Sequence, residues 1–267
     1  MTHIVETRWI DDVIAVVTFT DAEHRNELCW AAIDELGQVL TAAREAGARV
    51  LILASGFPGH WLQHAWLRDL ANGVEGLEQS GTGAGWFSVL TEVAHEDVVS
   101  IAAISGDCSG GGAEIGWACD LRVAEQQALF AQPEVNIGLT TGIGGCSRLA
   151  RLAGRSTAVE MVITGRPVSA QRLYDLGAIN QVVATGQAVA TATELGREIA
   201  AKSPAALKGL KQILAFNDGA PLAQALEHEQ AVFQTVLATD DAVTGMKAVQ
   251  AQYDQGVSIA KFNKYDK

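Results

Sequence analysis

Residues 107–120, DCSGGGAEIGWACD, hold three consecutive glycines with a carboxylate, Glu114, two residues after them. Three glycines forgo side-chain packing and cost backbone entropy on folding, so the bare backbone has a use there. A phosphate-cradling loop needs a lysine after its last glycine, and here the acidic Glu114 follows. Gly110, Gly112 and Gly116 are wrongly spaced for a dinucleotide-binding G-x-G-x-x-G. What remains is a strand, a tight turn and a helix N-terminus. That arrangement offers unpaired backbone N–H groups and the positive end of a helix dipole. It suits a carbonyl oxygen that gains negative charge in a transition state. The same glycines also suit plain close packing of helix on strand.

A second carboxylate, Glu134, stands in ALFAQPEVNIGL between two apolar runs, with Pro133 fixing the backbone before it. Buried carboxylates are rare without a task or a partner. Burial and a nearby carboxylate both raise a glutamate pKa toward the range useful for proton transfer. Facing one ligand, Glu114 and Glu134 suit a pair in which one activates water and the other delivers a proton. A surface ion pair is the ordinary alternative.

These residues need elements to hold them. VIAVVTF (13–19), ARVLILASG (48–56) and VVSIAAISG (98–106) read as buried strands. Between the first two, Ile33, Leu36, Leu40 and Ala43 recur at helical spacing. Strand, helix, strand is the unit of a parallel sheet, so the fold class is α/β. LRVAEQ and ALFAQ read as short strands. Residues 56–86 mix glycines with Trp61, Trp66 and Trp86, which predicts a loop, a short helix near 66–72 and a mobile glycine-rich stretch. Beyond about residue 190 the pattern is helical, dividing the chain into 1–190 and 191–267.

The chain has 267 residues and a formal charge of −12. No basic stripe offsets that charge, which argues against nucleic-acid binding. No run approaches the roughly 20 apolar residues of a membrane span. Cys29, Cys108, Cys119 and Cys146 form no close pair, so the expectation is reduced, mostly buried thiols in a cytoplasmic protein and no metal site.

From VSIAAISGDCSGGGAEIGWACDLRVAE through ALFAQPEVNIGLTTGIGGCSRLARLAG to ITGRPVSAQRLYDLGAINQVV, the sequence resembles the crotonase superfamily, the enoyl-CoA hydratase/isomerase family. RNELCW, AKSPAALKGLKQIL and VFQTVLATDDAVTGMKA extend the resemblance over nearly the whole chain. It implies a crotonase (ClpP-like) spiral ββα fold with a C-terminal helical region used in trimer formation, as a homotrimer or a dimer of trimers. It implies an acyl-CoA substrate in fatty acid metabolism, no separate cofactor (coenzyme A being part of the substrate), and an oxyanion hole from the backbone amides of Ala65 and Gly111. The family's paired glutamates match Glu114 and Glu134, which favours hydration of a 2,3 double bond. Arg25, Leu28, His64, Trp66 and Leu67 are implied substrate contacts. In WLQHAWL, His64 stands where the family has glycine and Trp66 where it has aspartate. An isomerase, a decarboxylase, a hydrolase or a non-catalytic acyl-CoA-binding member is the alternative.

Overall fold

The computed structural model describes residues 4–262. The aliphatic runs form β2 (Ile14–Phe19), β3 (Val50–Ser55), β4 (Val99–Ile104) and β6 (Leu121–Glu125), all mutually parallel where they pair. Such strands are buried on both faces, which is why their sequences do not alternate. Two further strands complete a six-stranded sheet in the order β1-β2-β3-β4-β6-β9. β1 (Val5–Ile10) pairs antiparallel with β2 at one edge, and β9 (Gln181–Val183) pairs parallel with β6 at the other. The apolar pattern did not mark β1, because its middle residues are exposed, as befits an edge strand.

Helix α1 (Trp30–Glu45) buries Ile33, Leu36, Leu40 and Ala43, the stripe its spacing predicts. The loop region yields α2 (Leu67–Glu75) and α3 (Gly85–Ala94). The glycine-rich stretch between them, expected to be mobile, is tied down by two carboxylates. Asp34 accepts N–H bonds from Thr82, Gly83 and Gly85. Fully buried Asp69 accepts from the Trp30 and Ser80 N–H groups at 2.8 Å each. Burial pushes both carboxyls up, but the hydrogen bonds outweigh it and hold both below the usual range.

A small second sheet joins β5 (Cys108–Ser109), β7 (Leu129–Ala131) and β8 (Val168–Ser169). β5 runs straight into α4 (Gly110–Ala118), and β7 leads through Gln132 and Pro133 into a 3-10 turn at Glu134–Ile137. Helices α5 (Ser147–Ala153), α6 (Arg155–Thr164), α7 (Ala170–Asp175) and α8 (Ala188–Ala200) follow, three of them around β8 and β9 in chain order. Residues up to Gly196 form one compact unit and those from Arg197 a second, so the division falls inside α8. The second unit carries α9 (Pro204–Asn217), α10 (Leu222–Leu237) and α11 (Asp240–Asp254). In it, Gly209 of α9 lets Val232 and Val236 of α10 pack close. No helix of the described residues is long and apolar enough to cross a membrane. Cys29, Cys108 and Cys119 are buried free thiols, whereas Cys146 is exposed.

Two of the triplet glycines have a backbone reason. Gly110 turns the chain from β5 into α4 with a φ of +51°, in the left-handed region. Gly112 lies against the backbone of Leu62 and Gln63, where an added Cβ would sit 2.2 Å from the Leu62 carbonyl oxygen. Gly112→Ala is expected to cost about 2–3 kcal/mol through overpacking against immovable backbone. Gly219→Ala meets nothing within 4 Å and is expected to stay within roughly 0.5 kcal/mol of wild type. Urea denaturation of both variants checks this, and equal stability of the two would contradict the close approach.

Candidate active site

The site begins in the turn before α1. Arg25 and Asn26 adopt φ of 53° and 60°, a conformation asparagine tolerates better than most residues. Asn26 is fully buried, and its side-chain amide donates to the Trp61 carbonyl at 2.9 Å and the Ser55 hydroxyl at 2.8 Å. Its own carbonyl accepts from Gln63 N–H at 2.9 Å. Leu28 then pairs with the 60–66 loop like a strand, donating its N–H to the His64 carbonyl and accepting from Trp66 N–H, each at 2.9 Å.

That pairing orients one peptide. In a trans peptide the C=O and N–H point opposite ways. With the His64 carbonyl turned to Leu28, the Ala65 N–H of the same peptide faces away from Leu28. Ala65 lines the cavity described below. Across from it, α4 starts at Gly110, so Gly111 N–H has no partner within the helix. Among the described residues neither amide has an acceptor. The two elements are locked in register: Gly112 N–H donates to the Gln63 carbonyl at 3.0 Å, and Trp61 N–H to the Asp107 carbonyl at 2.8 Å. The third glycine is also accounted for, since the Trp86 ring lies where a Gly111 Cβ would be, at 2.7 Å.

Ala65, Gly111, Glu114 and Glu134 line one cavity of about 430 Å³. Its apolar walls come from Leu67, Leu70, Trp86, Phe87, Ile137 and Leu139. The two carboxyls differ in their surroundings. Glu114, almost wholly buried, accepts N–H bonds on Oε1 from Ile143 at 2.9 Å and Gly145 at 2.6 Å, which fixes its orientation. Glu134 is half-buried and accepts one side-chain N–H bond on Oε1, from Gln132 at 3.0 Å. Its Oε2 is buried with no partner. Burial above all, and then the neighbouring Glu114 carboxylate, raise the Glu134 pKa despite that hydrogen bond. One carboxyl is held by backbone amides while the other is biased toward its acid form.

Of the residues singled out in the sequence, the cavity gathers His64, Ala65, Leu67, Gly111, Glu114 and Glu134. Arg25, Leu28 and Trp66 stand outside its lining. Arg25 is exposed and ion-paired to Glu27 at 3.0 Å. Leu28 is fully buried and acts through its backbone. Trp66 packs edge-on to His24, with the Arg68 guanidinium 5.1 Å from its ring centre. His64 Nδ1 is 2.9 Å from the Ala65 carbonyl, which can only accept, so Nδ1 carries the proton. Asp21, His24 and Cys29 also come together, with ligand atoms within 4.8 Å. Asp21 and His24 already satisfy each other at 2.8 Å, and burial pushes the Cys29 thiol up, away from the thiolate a metal needs. Sequence reasoning missed Gln132. Nothing in its residue type marked it: its place follows from the turn at Pro133, which carries the chain from β7 into the 3-10 turn that begins at Glu134.

Two backbone amides and a pair of carboxyls on one apolar cavity have the chemistry that oxyanion stabilisation and proton transfer call for. Known proteins narrow this. A sequence profile described as enoyl-CoA hydratase/isomerase matches residues 10–255. A short-chain-enoyl-CoA hydratase of Clostridium acetobutylicum is 30% identical over 88% of this chain and 90% of its own length. A probable mitochondrial enoyl-CoA hydratase 2 of Arabidopsis thaliana is 37% identical over 57% of this chain, a match spanning only 50% of that protein. The solved enoyl-CoA hydratase of Bacillus anthracis is 26% identical, covers 97% of this chain and 99% of its own, and superposes with a TM-score of 0.82. The chain belongs to the enoyl-CoA hydratase/isomerase family of the crotonase superfamily and has its fold.

The raised Glu134 pKa has a consequence for stability. The folded state holds that proton more tightly than the unfolded chain, whose value is near the ordinary 4.5. The contribution to stability is therefore complete below that value and is lost as pH rises through the raised folded value. Glu134→Gln does not suffer that loss. Its stability relative to wild type is expected to climb from about pH 4.5 upward and then level off. Urea midpoints of both proteins from pH 4 to pH 8 measure it, and a pH-independent difference would show that the carboxyl is not perturbed.

Proposed function

We propose that the protein is an enoyl-CoA hydratase, adding water across the 2,3 double bond of an acyl-CoA thioester. The observation that carries this reading is the convergence of Ala65 N–H, Gly111 N–H, Glu114 and Glu134 on one apolar cavity. The thioester carbonyl takes the two amides. As the water oxygen bonds to C3, electron density moves to the carbonyl oxygen, where the amides and the N-terminus of α4 stabilise it. Glu114 takes a proton from the water. Glu134, in its acid form, gives its proton to C2, and the carbonyl re-forms. Atoms and charge balance, with one water consumed and one proton left to pass from Glu114 back to Glu134. No metal or cofactor enters these steps, coenzyme A being part of the substrate. The acyl group is the part that the apolar walls suit.

The test is hydration of crotonyl-CoA and longer 2-enoyl-CoA esters, read as loss of the conjugated absorbance. Glu114→Gln and Glu134→Gln are each expected to lower kcat by about 10²–10⁴, with the ester still bound in calorimetry. A wild-type protein that hydrates no chain length sinks the reading. Binding of the ester without turnover would assign a non-catalytic role.

The same reading includes a cytoplasmic homotrimer or dimer of trimers. It is supported by unbridged cysteines and by the exposed apolar residues of the second unit, among them Leu214, Leu222, Leu226 and Phe233. Light scattering is expected to give three or six times 28.1 kDa. A monomer at micromolar concentration would overturn this part.

A further inference from the structure

Behind Glu134 lies a buried polar chain. Gln132 is fully buried, and its side-chain oxygen accepts from the Trp117 indole N–H at 3.1 Å. Its side-chain nitrogen donates to Glu134 Oε1 at 3.0 Å. Trp117 is itself buried and packs on Phe130 with ring centres 5.4 Å apart. A glutamine amide has two orientations that differ only by exchange of O and N. An indole N–H can only donate. It therefore selects the orientation in which the Gln132 oxygen faces Trp117 and the N–H₂ faces Glu134. The flipped amide would set N–H against N–H at one end and oxygen against oxygen at the other.

We propose that Trp117 is a positioning residue for Glu134: through Gln132 it makes Oε1 a pure acceptor and thereby assigns the carboxyl proton to Oε2. Oε2 is the oxygen that no other group occupies. The inference rests on the hydratase reading for its kinetic consequence only. With the indole N–H removed, the Gln132 amide is free to flip. Its carbonyl then accepts a proton placed on Oε1, so the proton is turned toward Gln132 and away from the reaction. The acid form is stabilised at the same time, because the N–H bond that favoured the carboxylate is lost. The other titratable groups acting on Glu134 are Glu114 from α4 and His64 from the 60–66 loop. Among the described residues neither hydrogen-bonds the Trp117 indole, which donates to Gln132.

The test uses Trp117→Phe, which keeps an aromatic ring against Phe130 and removes the N–H. Replacing Trp117 by benzothienylalanine, an isostere with sulfur for N–H, serves if phenylalanine does not support folding. Two readouts are taken. The carbon-13 resonance of the Glu134 carboxyl, assigned by its loss in Glu134→Gln, gives the titration without any need for activity. The pH profile of kcat for enoyl-CoA hydration gives the kinetic limb. Both the resonance midpoint and the alkaline limb are expected to rise by about half to one pH unit, the size of one net hydrogen bond. kcat is expected to fall roughly tenfold with KM unchanged. In a Gln132→Met background the same Trp117 change should move neither midpoint, because the link is gone. A lowered melting temperature with an unmoved midpoint, or a shift that persists in Gln132→Met, overturns the proposal. If wild type lacks hydratase activity but the resonance still shifts as expected, the hydratase reading fails and the positioning of Glu134 stands.

Discussion

The hydrogen bond from Leu28 N–H to the His64 carbonyl carries more of this structure than its 2.9 Å length suggests. It decides which way the 64–65 peptide points, and so where the Ala65 N–H goes. Everything around it serves to hold that peptide. Asn26 accepts a strained backbone to bond Trp61 and Ser55, and its carbonyl takes Gln63 N–H. Gln63 in turn holds Gly112. A change in any of these would rotate or release an amide rather than remove it, because the donor is backbone and no side chain supplies it. This also explains how His64 occupies a place where the family has glycine. Its side chain folds back so that Nδ1 meets the neighbouring Ala65 carbonyl, and the donor peptide is left as Leu28 sets it.

The glycine triplet follows from the same constraint. The helix that offers Gly111 N–H must approach the loop that offers Ala65 N–H, and side chains on either would hold them apart. Gly112 meets the Leu62 carbonyl, Gly111 meets the Trp86 ring, and Gly110 makes the turn between strand and helix. Each glycine has a different neighbour, so the run is three separate requirements that happen to be consecutive.

The strands β2, β3 and β4 and the buried stripe of α1 were legible because aliphatic runs and helical spacing report burial directly. β1 was not, since an edge strand with an exposed middle carries no such run. Glu114, Glu134, Gly111 and Ala65 were reached by motif and resemblance, and the cavity does bring them together. Asn26 was invisible: nothing in RNEL says that the asparagine is buried and the arginine exposed. The order of the 78–85 stretch was misread for a physical reason. Its glycines signal freedom, but the carboxylates that remove it, Asp34 and Asp69, lie outside the stretch on α1 and α2, Asp34 being 48 residues from Thr82. Nothing in the sequence marks Trp117, because a hydrogen bond to Gln132 depends on how α4 meets the segment after β7.

Two glutamates side by side in one cavity would, in equal surroundings, share a titration and have no fixed division of labour. Here the surroundings are unequal, and the inequality is built from backbone. Ile143 and Gly145 lend two N–H groups to one oxygen of Glu114. Glu134 receives its own backbone N–H and the Gln132 side-chain amide, has an unpartnered oxygen, and sits beside its twin. The loop that carries Ile143 and Gly145 also forms part of the cavity wall, so the shape of that wall and the orientation of Glu114 are set together. A substitution in residues 139–145 that reshapes the wall must therefore also disturb the carboxyl. That coupling makes this segment a poor place to change chain-length preference alone. The opposite wall, Leu67, Leu70 and Phe87, touches neither carboxyl through a hydrogen bond and leaves room for such change.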